Sequence, residues 1–185
     1  YGNDKGIFGG GSSGATKYGV TNLVSSSGVV ASDVSAVMTA RHVLAAATYG
    51  GDKGIFGFGN TGSYTAVTNL VSNAGVVATD TTGVGTARGY LGACEYSSNK
   101  DKAIFGFGAG SILSMTNLVS NVGVVSTDVT GVGTARYEIA ACSYGGDKGI
   151  FGFGDTGSNT AVTNLVSNAG VVATDTTGVG TARKG

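Results

Sequence analysis

The chain has 185 residues, with 11 Lys plus Arg against 11 Asp plus Glu, so its net charge is zero. A neutral balance argues against a nucleic-acid-binding protein and against a polybasic membrane surface, because both classes need positive charge. Only 12% of the residues are charged, glycine occurs 35 times and proline is absent, a composition typical of many short strands joined by tight turns. We see no apolar run of the length of about 18 residues that marks a membrane-spanning helix.

One stretch of sequence recurs four times along the chain. In its second occurrence it is Thr68–Arg88, which contains the motif Thr-Asn-Leu-Val-Ser and ends in Thr-Ala-Arg. Its first residue is Thr21, Thr68, Thr116 or Thr163, at spacings of 47, 48 and 47 residues. A fixed period of this length indicates a repeat architecture. We therefore divide a single repeat domain, residues 1–185, into repeats 1 to 4, approximately 1–48, 49–95, 96–143 and 144–185.

Each repeat opens with a tyrosine, a turn carrying Asp-Lys, and a strand containing Ile-Phe-Gly. In repeat 2 the motif Tyr-Gly-Gly-Asp at 49–52 predicts a hairpin turn, and 53–59 predicts a strand. Strict alternation along that strand places Phe56 and Phe58 on one face. Repeat 1 departs from this pattern, because Gly10 stands where the others have the second phenylalanine.

A loop of variable length and sequence follows in every repeat, at 11–20, 60–67, 109–115 and 155–162. Repeats 2 and 4 differ between Gly50–Arg88 and Gly145–Arg183 only within this loop. Because the remainder hardly changes, the loops are where we expect ligand binding. Aromatic and amide side chains on loops suit recognition of a glycan or a protein surface, although the same residues also suit ordinary solvated loops. The candidate ligand-binding residues are Lys17, Tyr18, Asn60, Tyr64, Asp155 and Asn159.

The rest of each repeat predicts three more strands. Thr-Asn-Leu-Val-Ser and Val-Val-Ala-Thr-Asp are two of them. The third is a run of small apolar residues after each internal Thr-Ala-Arg, at 43–47, 91–94 and 139–142. Four strands per repeat without a helical period predict an all-β fold, specifically a β-propeller of four-stranded blades. A β-solenoid, with the repeats stacked in a line, is the alternative fold.

The unit of Thr-Ala-Arg, small apolar residues, a turn and Lys-Gly-Ile-Phe-Gly-Phe-Gly resembles a kelch repeat. In the kelch pattern an arginine precedes a small-residue inner strand, and an aromatic-rich strand ending in Gly-Gly follows; Gly57 and Gly59 loosely match those glycines. This chain departs from the pattern, because it has no tryptophan and a phenylalanine splits the glycine pair. The resemblance implies a β-propeller without specifying a partner, since kelch propellers serve as scaffolds, lectin-like binders and, rarely, oxidases.

Most charges repeat with the motif, and they have two interpretations. The acids can form a ring that holds a cation, or the arginine of one repeat can bond the aspartate or backbone carbonyls of a neighbour. We favour the second interpretation, because a repeated position usually answers a repeated structural need, and bidentate arginine bonds would fix the angle between neighbours. The frame residues, as we call them, are Asp33, Arg41, Asp80, Arg88, Asp128, Arg136, Asp175 and Arg183.

No set of residues predicts an enzyme or a cofactor. Cys94 and Cys142 occupy equivalent positions, where we expect small buried thiols rather than a disulfide or a zinc site. Galactose oxidase is a kelch-type propeller, but copper needs at least two imidazoles and His42 is the single histidine. His42 also follows a frame arginine at a position that varies, so we do not assign it to a Ser-His-Asp triad.

The sequence thus favours a non-enzymatic binding or adhesive module, secreted or on a virion or cell surface. The alternative is a structural protein whose repeats self-assemble into a filament or a larger ring. Joining Gly185 to Tyr1 would leave an incomplete inner strand, so we expect no self-sufficient closed monomer. The chain was then cut from a longer array, or molecules meet end to end.

Overall fold

The fold is a series of short antiparallel sheets, one for each repeat. The computed structural model describes residues 1–35 and 37–185, and within these residues all regular elements are β-strands. The strands are β1 (Gly6–Gly9), β2 (Ser12–Ser13), β3 (Thr16–Lys17), β4 (Thr21–Val24), β5 (Ala45–Tyr49), β6 (Lys53–Gly57), β7 (Thr68–Val71), β8 (Gly92–Tyr96), β9 (Lys102–Gly108), β10 (Leu113–Val119), β11 (Ala140–Tyr144), β12 (Lys148–Gly152) and β13 (Thr163–Val166). The prediction of an all-β fold is confirmed. In this part of the chain, no helix has the length and apolar character needed to cross a membrane.

The strands form separate antiparallel sheets, and no ladder of hydrogen bonds between the described strands joins one sheet to another. The second sheet has the order β5-β6-β7, the third β8-β9-β10 and the fourth β11-β12-β13, all antiparallel. The first sheet contains β1 and β4, and β2 and β3 form a separate hairpin in the first variable loop. Because β5, β8 and β11 follow the frame arginines, the tail of one repeat supplies the edge strand of the next sheet.

The predicted strand Val-Val-Ala-Thr-Asp is not a regular strand in the structure but a segment held by isolated bridges. In repeat 2, two such bridges join β7 to the segment 77–81. Between them the Asn69 side chain donates hydrogen bonds to the Ala78 carbonyl oxygen (3.0 Å) and to Asp80 Oδ1 (2.8 Å). The asparagine therefore takes the place of ladder bonds. The regular sheets in the described residues have two or three strands, and none of them closes on itself.

The prediction that Phe56 and Phe58 share one face is wrong. The strand β6 ends at Gly57, and Phe58 has a φ of 62°, a left-handed conformation that interrupts the alternation of side chains. Phe56 consequently packs in a cluster with Met38, whereas Phe58 packs on the other side of its sheet, in a cluster with Ile55.

The hydrophobic core lies between successive sheets. The largest cluster joins Tyr49, Ile55 and Phe58 of the second sheet to Phe105 and Val119 of the third, and all five are buried. The Phe58 and Phe105 rings meet edge to face, with centroids 5.2 Å apart, a geometry that adds to the free energy of burial. The sheets are therefore stacked face to face, and each interface depends on residues from two repeats.

Candidate functional site

The frame arginines lie between successive sheets, and Arg88 shows their contacts most clearly. Its Nε donates to the Phe107 carbonyl oxygen at 2.8 Å and its Nη2 donates to Asn117 Oδ1 at 2.6 Å, both in the third sheet. On the other side, its guanidinium carbon lies 4.2 Å from the centre of the Phe58 ring of the second sheet. Arg88 thus bonds one sheet and stacks on the other, which fixes their relative position.

The same hydrogen bonds recur at two further interfaces. Arg41 donates to the Phe58 carbonyl oxygen (2.9 Å) and to Asn69 Oδ1 (2.6 Å), and Arg136 makes the equivalent bonds at 2.8 and 2.7 Å. All three arginines are fully buried. Burial lowers the pKa of Arg88 to about 10, against the opposing effect of Asp128. The guanidinium therefore remains charged at neutral pH.

The frame aspartates stand next to these arginines. Asp128 accepts hydrogen bonds from the Thr86 backbone nitrogen (3.0 Å), from the Thr86 hydroxyl (2.7 Å) and from Asn117 Nδ2 (3.0 Å), and lies 3.8 Å from Arg88 Nη1. Burial raises the pKa of Asp128, but the bonds from Thr86 and Asn117 and the charge of Arg88 outweigh it, so the pKa is below its usual value. Both carboxylate oxygens of Asp128 therefore already accept hydrogen bonds from within the protein. In residues 1–35 and 37–185, no group of three or more His, Cys, Asp or Glu side chains could hold a metal ion.

The variable loops and the residues that follow the frame arginines form a second repeated feature, which we call the variable edge. It comprises the loops 11–20, 60–67, 109–115 and 155–162 and the two residues after each frame arginine, which are 42–43, 89–90, 137–138 and 184–185. His42 of repeat 1 bridges Asn60 of repeat 2, which also bridges Tyr64. Tyr137 of repeat 3 bridges Asp155 of repeat 4, and Asp155 bridges Asn159. The loop of one repeat is thereby held against the tail of the repeat before it.

Three tyrosines gather on this edge from two successive repeats. The Tyr90 and Tyr137 rings lie edge to face with centroids 6.2 Å apart. A Cβ atom at Gly89 would be 3.0 Å from the Tyr64 ring, so Tyr64 packs directly on that glycine. Burial, together with Tyr90 and Tyr137, raises the pKa of Tyr64. The Tyr64 phenol is therefore a neutral donor and acceptor at physiological pH.

A cluster of three charged side chains lies beside Tyr137. Lys184 Nζ is 2.9 Å from Glu138 Oε2 and 3.2 Å from Asp155 Oδ2, and its ammonium lies 5.8 Å from the centre of the Tyr137 ring. Hydrogen bonding to Glu138 and then to Asp155 raises the pKa of Lys184. The variable edge therefore combines aromatic faces, amides and one ion-paired cluster.

The structure brings some of the predicted binding residues together and separates others. Asn60 and Tyr64 lie in one bridged loop and Asp155 and Asn159 in another. Lys17 ends the small hairpin of the first loop, with Tyr18 next to it, 41% exposed. No described contact joins that hairpin to the tyrosine cluster.

Sequence reasoning missed Tyr90 and Tyr137 as candidates. Both occupy positions at which the repeats differ from one another. Tyr90 is equivalent to positions 43 and 138, and Tyr137 is equivalent to positions 42, 89 and 184. That variation was the available signal. That variation alone does not identify a site, because the bridge between a tail and the next loop is not visible in the sequence.

The two cysteines differ, although both are free thiols. Cys94 is buried, and burial raises its pKa to about 12. Cys142 is exposed, so the expectation of a buried thiol is wrong at this position. A Cβ atom at Gly149 of the fourth sheet would lie 2.5 Å from Cys94 Sγ, which shows that the next sheet covers Cys94.

Models of known protein families give no match to this chain, and comparison with curated proteins also gives none.

Proposed function

We propose that the chain is a non-enzymatic scaffold whose variable edge binds a glycan or a protein surface. The observation that carries this proposal is the position of the sequence differences. They concentrate in loops and tails that neighbouring repeats bridge together, next to the cluster of Tyr64, Tyr90 and Tyr137. Tyrosines provide a large apolar contact area, a hydroxyl group and little rotamer entropy to lose, which suits both classes of ligand.

The packed sheets support this proposal because they limit the movement of the edge. The buried arginines occupy each interface between sheets. Backbone hydrogen bonds also run along the edge, from Tyr90 N to the Val43 carbonyl oxygen and from Glu138 N to the Tyr90 carbonyl oxygen, each 2.9 Å. A binding surface held in one conformation loses less entropy when a ligand binds.

We further propose that the sheets are blades of a propeller-type assembly. Two features support this architecture over a β-solenoid. The strands pair antiparallel within each sheet, and successive sheets pack face to face through side chains. Each of the last three sheets also has a bridged fourth segment on its outer side. In a solenoid of stacked coils, hydrogen-bonded ladders would instead run through all the coils as continuous sheets.

A glycan array probed with the fluorescently labelled chain tests the proposed binding. The informative variants are Tyr64→Asn, which takes the residue of repeat 4, and Tyr137→Gly, which takes the residue of repeat 2. Because the chain already carries those residues at equivalent positions, both variants should fold. We expect each to reduce binding up to about tenfold, since an aromatic contact is worth roughly 0.5 to 1.5 kcal/mol beyond the area that it buries.

Val76→Ser is the matched control. Val76 is 66% exposed and lies outside the variable edge, so binding should not change. Equal binding by both tyrosine variants and the control, or no binding to glycans and to cell-surface proteins at low micromolar concentration, would contradict the proposal.

A second candidate function is that of a structural protein whose repeats self-assemble. The outer faces of the first and fourth sheets favour it, because they expose Phe8 and Tyr144.

A further inference from the structure

The contacts between successive sheets repeat so closely that they define a template. In the first of them, a phenylalanine of one sheet covers a glycine of the sheet before it. A Cβ atom at Gly9, Gly57 or Gly106 would lie within 2.6 to 2.7 Å of the ring of Phe56, Phe105 or Phe151, respectively. Only glycine leaves room for the ring at these positions, so each pair is a knob in a matching hole.

A second contact of the template places a tyrosine on a glycine of the following sheet. Tyr1 packs on Gly75, Tyr49 on Gly123, and Tyr96 on Gly170. A Cβ atom added at each of these glycines would lie 2.8 to 3.0 Å from the nearest atom of the tyrosine side chain. Tyr49 and Tyr96 are each 3% exposed as a result.

The outer face of the fourth sheet carries the first half of this template uncovered. Tyr144, the equivalent of Tyr49 and Tyr96, is 38% exposed. Gly152, the equivalent of Gly57 and Gly106, has only Thr163 within 4 Å of an added Cβ atom among the described residues. In place of a phenylalanine ring there is an apolar cavity of about 260 Å³, lined by Ala140, Ala141, Cys142, Ile150, Gly152, Phe153 and Thr163.

Arg183 completes this outer face. Its guanidinium carbon lies 3.6 Å from the centre of the Phe153 ring, as Arg88 lies over Phe58. Its side chain is exposed and donates to the Thr181 carbonyl oxygen at 3.3 Å. Arg88, Arg136 and Arg41 bond an asparagine of the next sheet, whereas none of the described side chains does so for Arg183.

The outer face of the first sheet carries the other half of the template. Phe8, the equivalent of Phe56, Phe105 and Phe151, is 62% exposed, whereas those three are buried. Gly28, the equivalent of Gly75, has none of the described atoms within 4 Å of an added Cβ atom. Asn22 donates to Asp33 Oδ1 at 2.8 Å, as Asn69 does to Asp80, so the acceptor for an arginine is already oriented.

We propose that the outer face of the fourth sheet binds the outer face of the first sheet of a second copy of this chain. Phe8 of one molecule fills the cavity at Gly152 of the other and meets the Phe153 ring edge to face. Arg183 donates to Asn22 Oδ1 and pairs with Asp33, and Tyr144 covers Gly28. Since two different faces meet, the association is head to tail and continues into a ring or a filament.

This contact is weaker than an internal one for a visible reason. The first sheet has two strands and lacks the small-residue strand that β5, β8 and β11 provide elsewhere. Less apolar surface is buried there, so we expect assembly to depend on concentration.

Sedimentation velocity over a concentration series tests the proposal with the chain as it stands. We expect an 18.1 kDa species at low concentration and a growing series of larger ones as the concentration rises. Phe8→Ser removes the knob and Gly152→Val narrows the hole, and each should weaken association about tenfold or more, roughly the effect of losing one buried phenylalanine. Val171→Ser is the matched control, because Val171 and its equivalents Val29, Val76 and Val124 are about equally exposed in all four repeats.

Mixing the two variants distinguishes head-to-tail contact from other association. Phe8→Ser retains the hole and Gly152→Val retains the knob, so an equimolar mixture should form one-to-one dimers and no larger species. Cys142 provides an independent readout. Gly6 of the partner would cover it as Gly149 covers Cys94, so its labelling by a thiol reagent should slow as the concentration rises.

Three results would overturn the proposal. The first is a monomer at every concentration with fast labelling of Cys142. The second is a monomer in which Cys142 labels slowly, because the two faces would then close within one chain. The third is association that Phe8→Ser, Gly152→Val and Val171→Ser leave equally strong.

Discussion

Repeats 2 and 4 are almost the same sequence in different surroundings. Gly50–Arg88 and Gly145–Arg183 differ at two loop positions, yet Arg88 is fully buried and Arg183 is exposed. The difference arises because Arg88 has a third sheet to bond, whereas Arg183 reaches the outer face of the fourth. Burial at a repeated position is therefore determined by the following repeat and not by the local sequence, as expected for repeat proteins stabilised through their interfaces.

The two arginines provide the largest test of this comparison. Arg88→Ala leaves Asn117 Oδ1 and the Phe107 carbonyl oxygen without their donor and removes the positive charge 3.8 Å from Asp128. Breaking such a buried pair costs about 3 to 5 kcal/mol. Arg183→Ala should change the free energy of unfolding by less than about 0.5 kcal/mol at a concentration where the chain is monomeric. Urea unfolding followed by circular dichroism measures both. Similar losses in the two variants would show that the interfaces do not depend on the buried arginines.

The glycines that receive a phenylalanine ring give the next largest effect. Gly57→Val places a side chain against the Phe105 ring, which an added Cβ atom already approaches to 2.7 Å. Overpacking of this kind costs about 1 to 3 kcal/mol. Gly152→Val meets only the Thr163 methyl group, at 3.3 Å, so its loss should stay below about 1 kcal/mol. Thermal melts of the two variants give the comparison, and a larger loss for Gly152→Val would contradict the template.

The periodicity of the sequence was sufficient to predict the sheets, but not how the repeats share them. It predicted an all-β fold and the strand after each frame arginine. That β5 belongs to the second sheet follows from its hairpin with β6, which the turn motif Tyr-Gly-Gly-Asp predicted and the period alone does not specify. The turn of the chain at Phe58 was missed, because a positive φ at a phenylalanine has no sequence signature. Gly10, at the equivalent position with a φ of 70°, was the one available indication.

Gly10 also has a partner that the sequence alone did not reveal. Met38 stands where the other repeats have Gly85, Gly133 and Gly180, and its Cε lies 3.3 Å from a Cβ atom added at Gly10. Met38 is 3% exposed and packs with Phe56. Repeat 1 therefore has a glycine and methionine pair in contact where the other repeats have a phenylalanine and a glycine at the equivalent positions.

A double-mutant cycle tests this exchange. Met38→Gly should leave a cavity, and Gly10→Phe should clash with the methionine, so each single variant is expected to lose about 1 to 3 kcal/mol. The double variant recreates the arrangement of repeat 2 and should recover at least about 1 kcal/mol of the summed loss. Additive losses in urea unfolding would show that the two positions are independent.

The smallest expected effect concerns stability in acid. It distinguishes the aspartates between the sheets from the other charged groups of the chain. Burial raises the pKa of Asp128, but the hydrogen bonds from Thr86 and Asn117 lower it by a larger amount. The pKa in the folded state therefore lies below the value near 4 of an unfolded chain. A carboxylate with a depressed pKa stabilises the fold above the unfolded pKa, and that contribution disappears as the pH falls through the folded pKa.

Asp80 and Asp175 have the same direction of shift, each with threonine and asparagine donors. The free energy of unfolding should therefore be flat from pH 7 to about pH 5 and decrease below about pH 4. Thr86→Val removes the hydroxyl donor to Asp128 while keeping the size of the side chain. We expect this variant to be less stable at pH 7 and to lose less on acidification, so that the two stability curves converge near pH 3. Parallel curves would mean that the hydroxyl bond does not favour the charged carboxylate, and the acid sensitivity would then arise outside the interfaces between sheets.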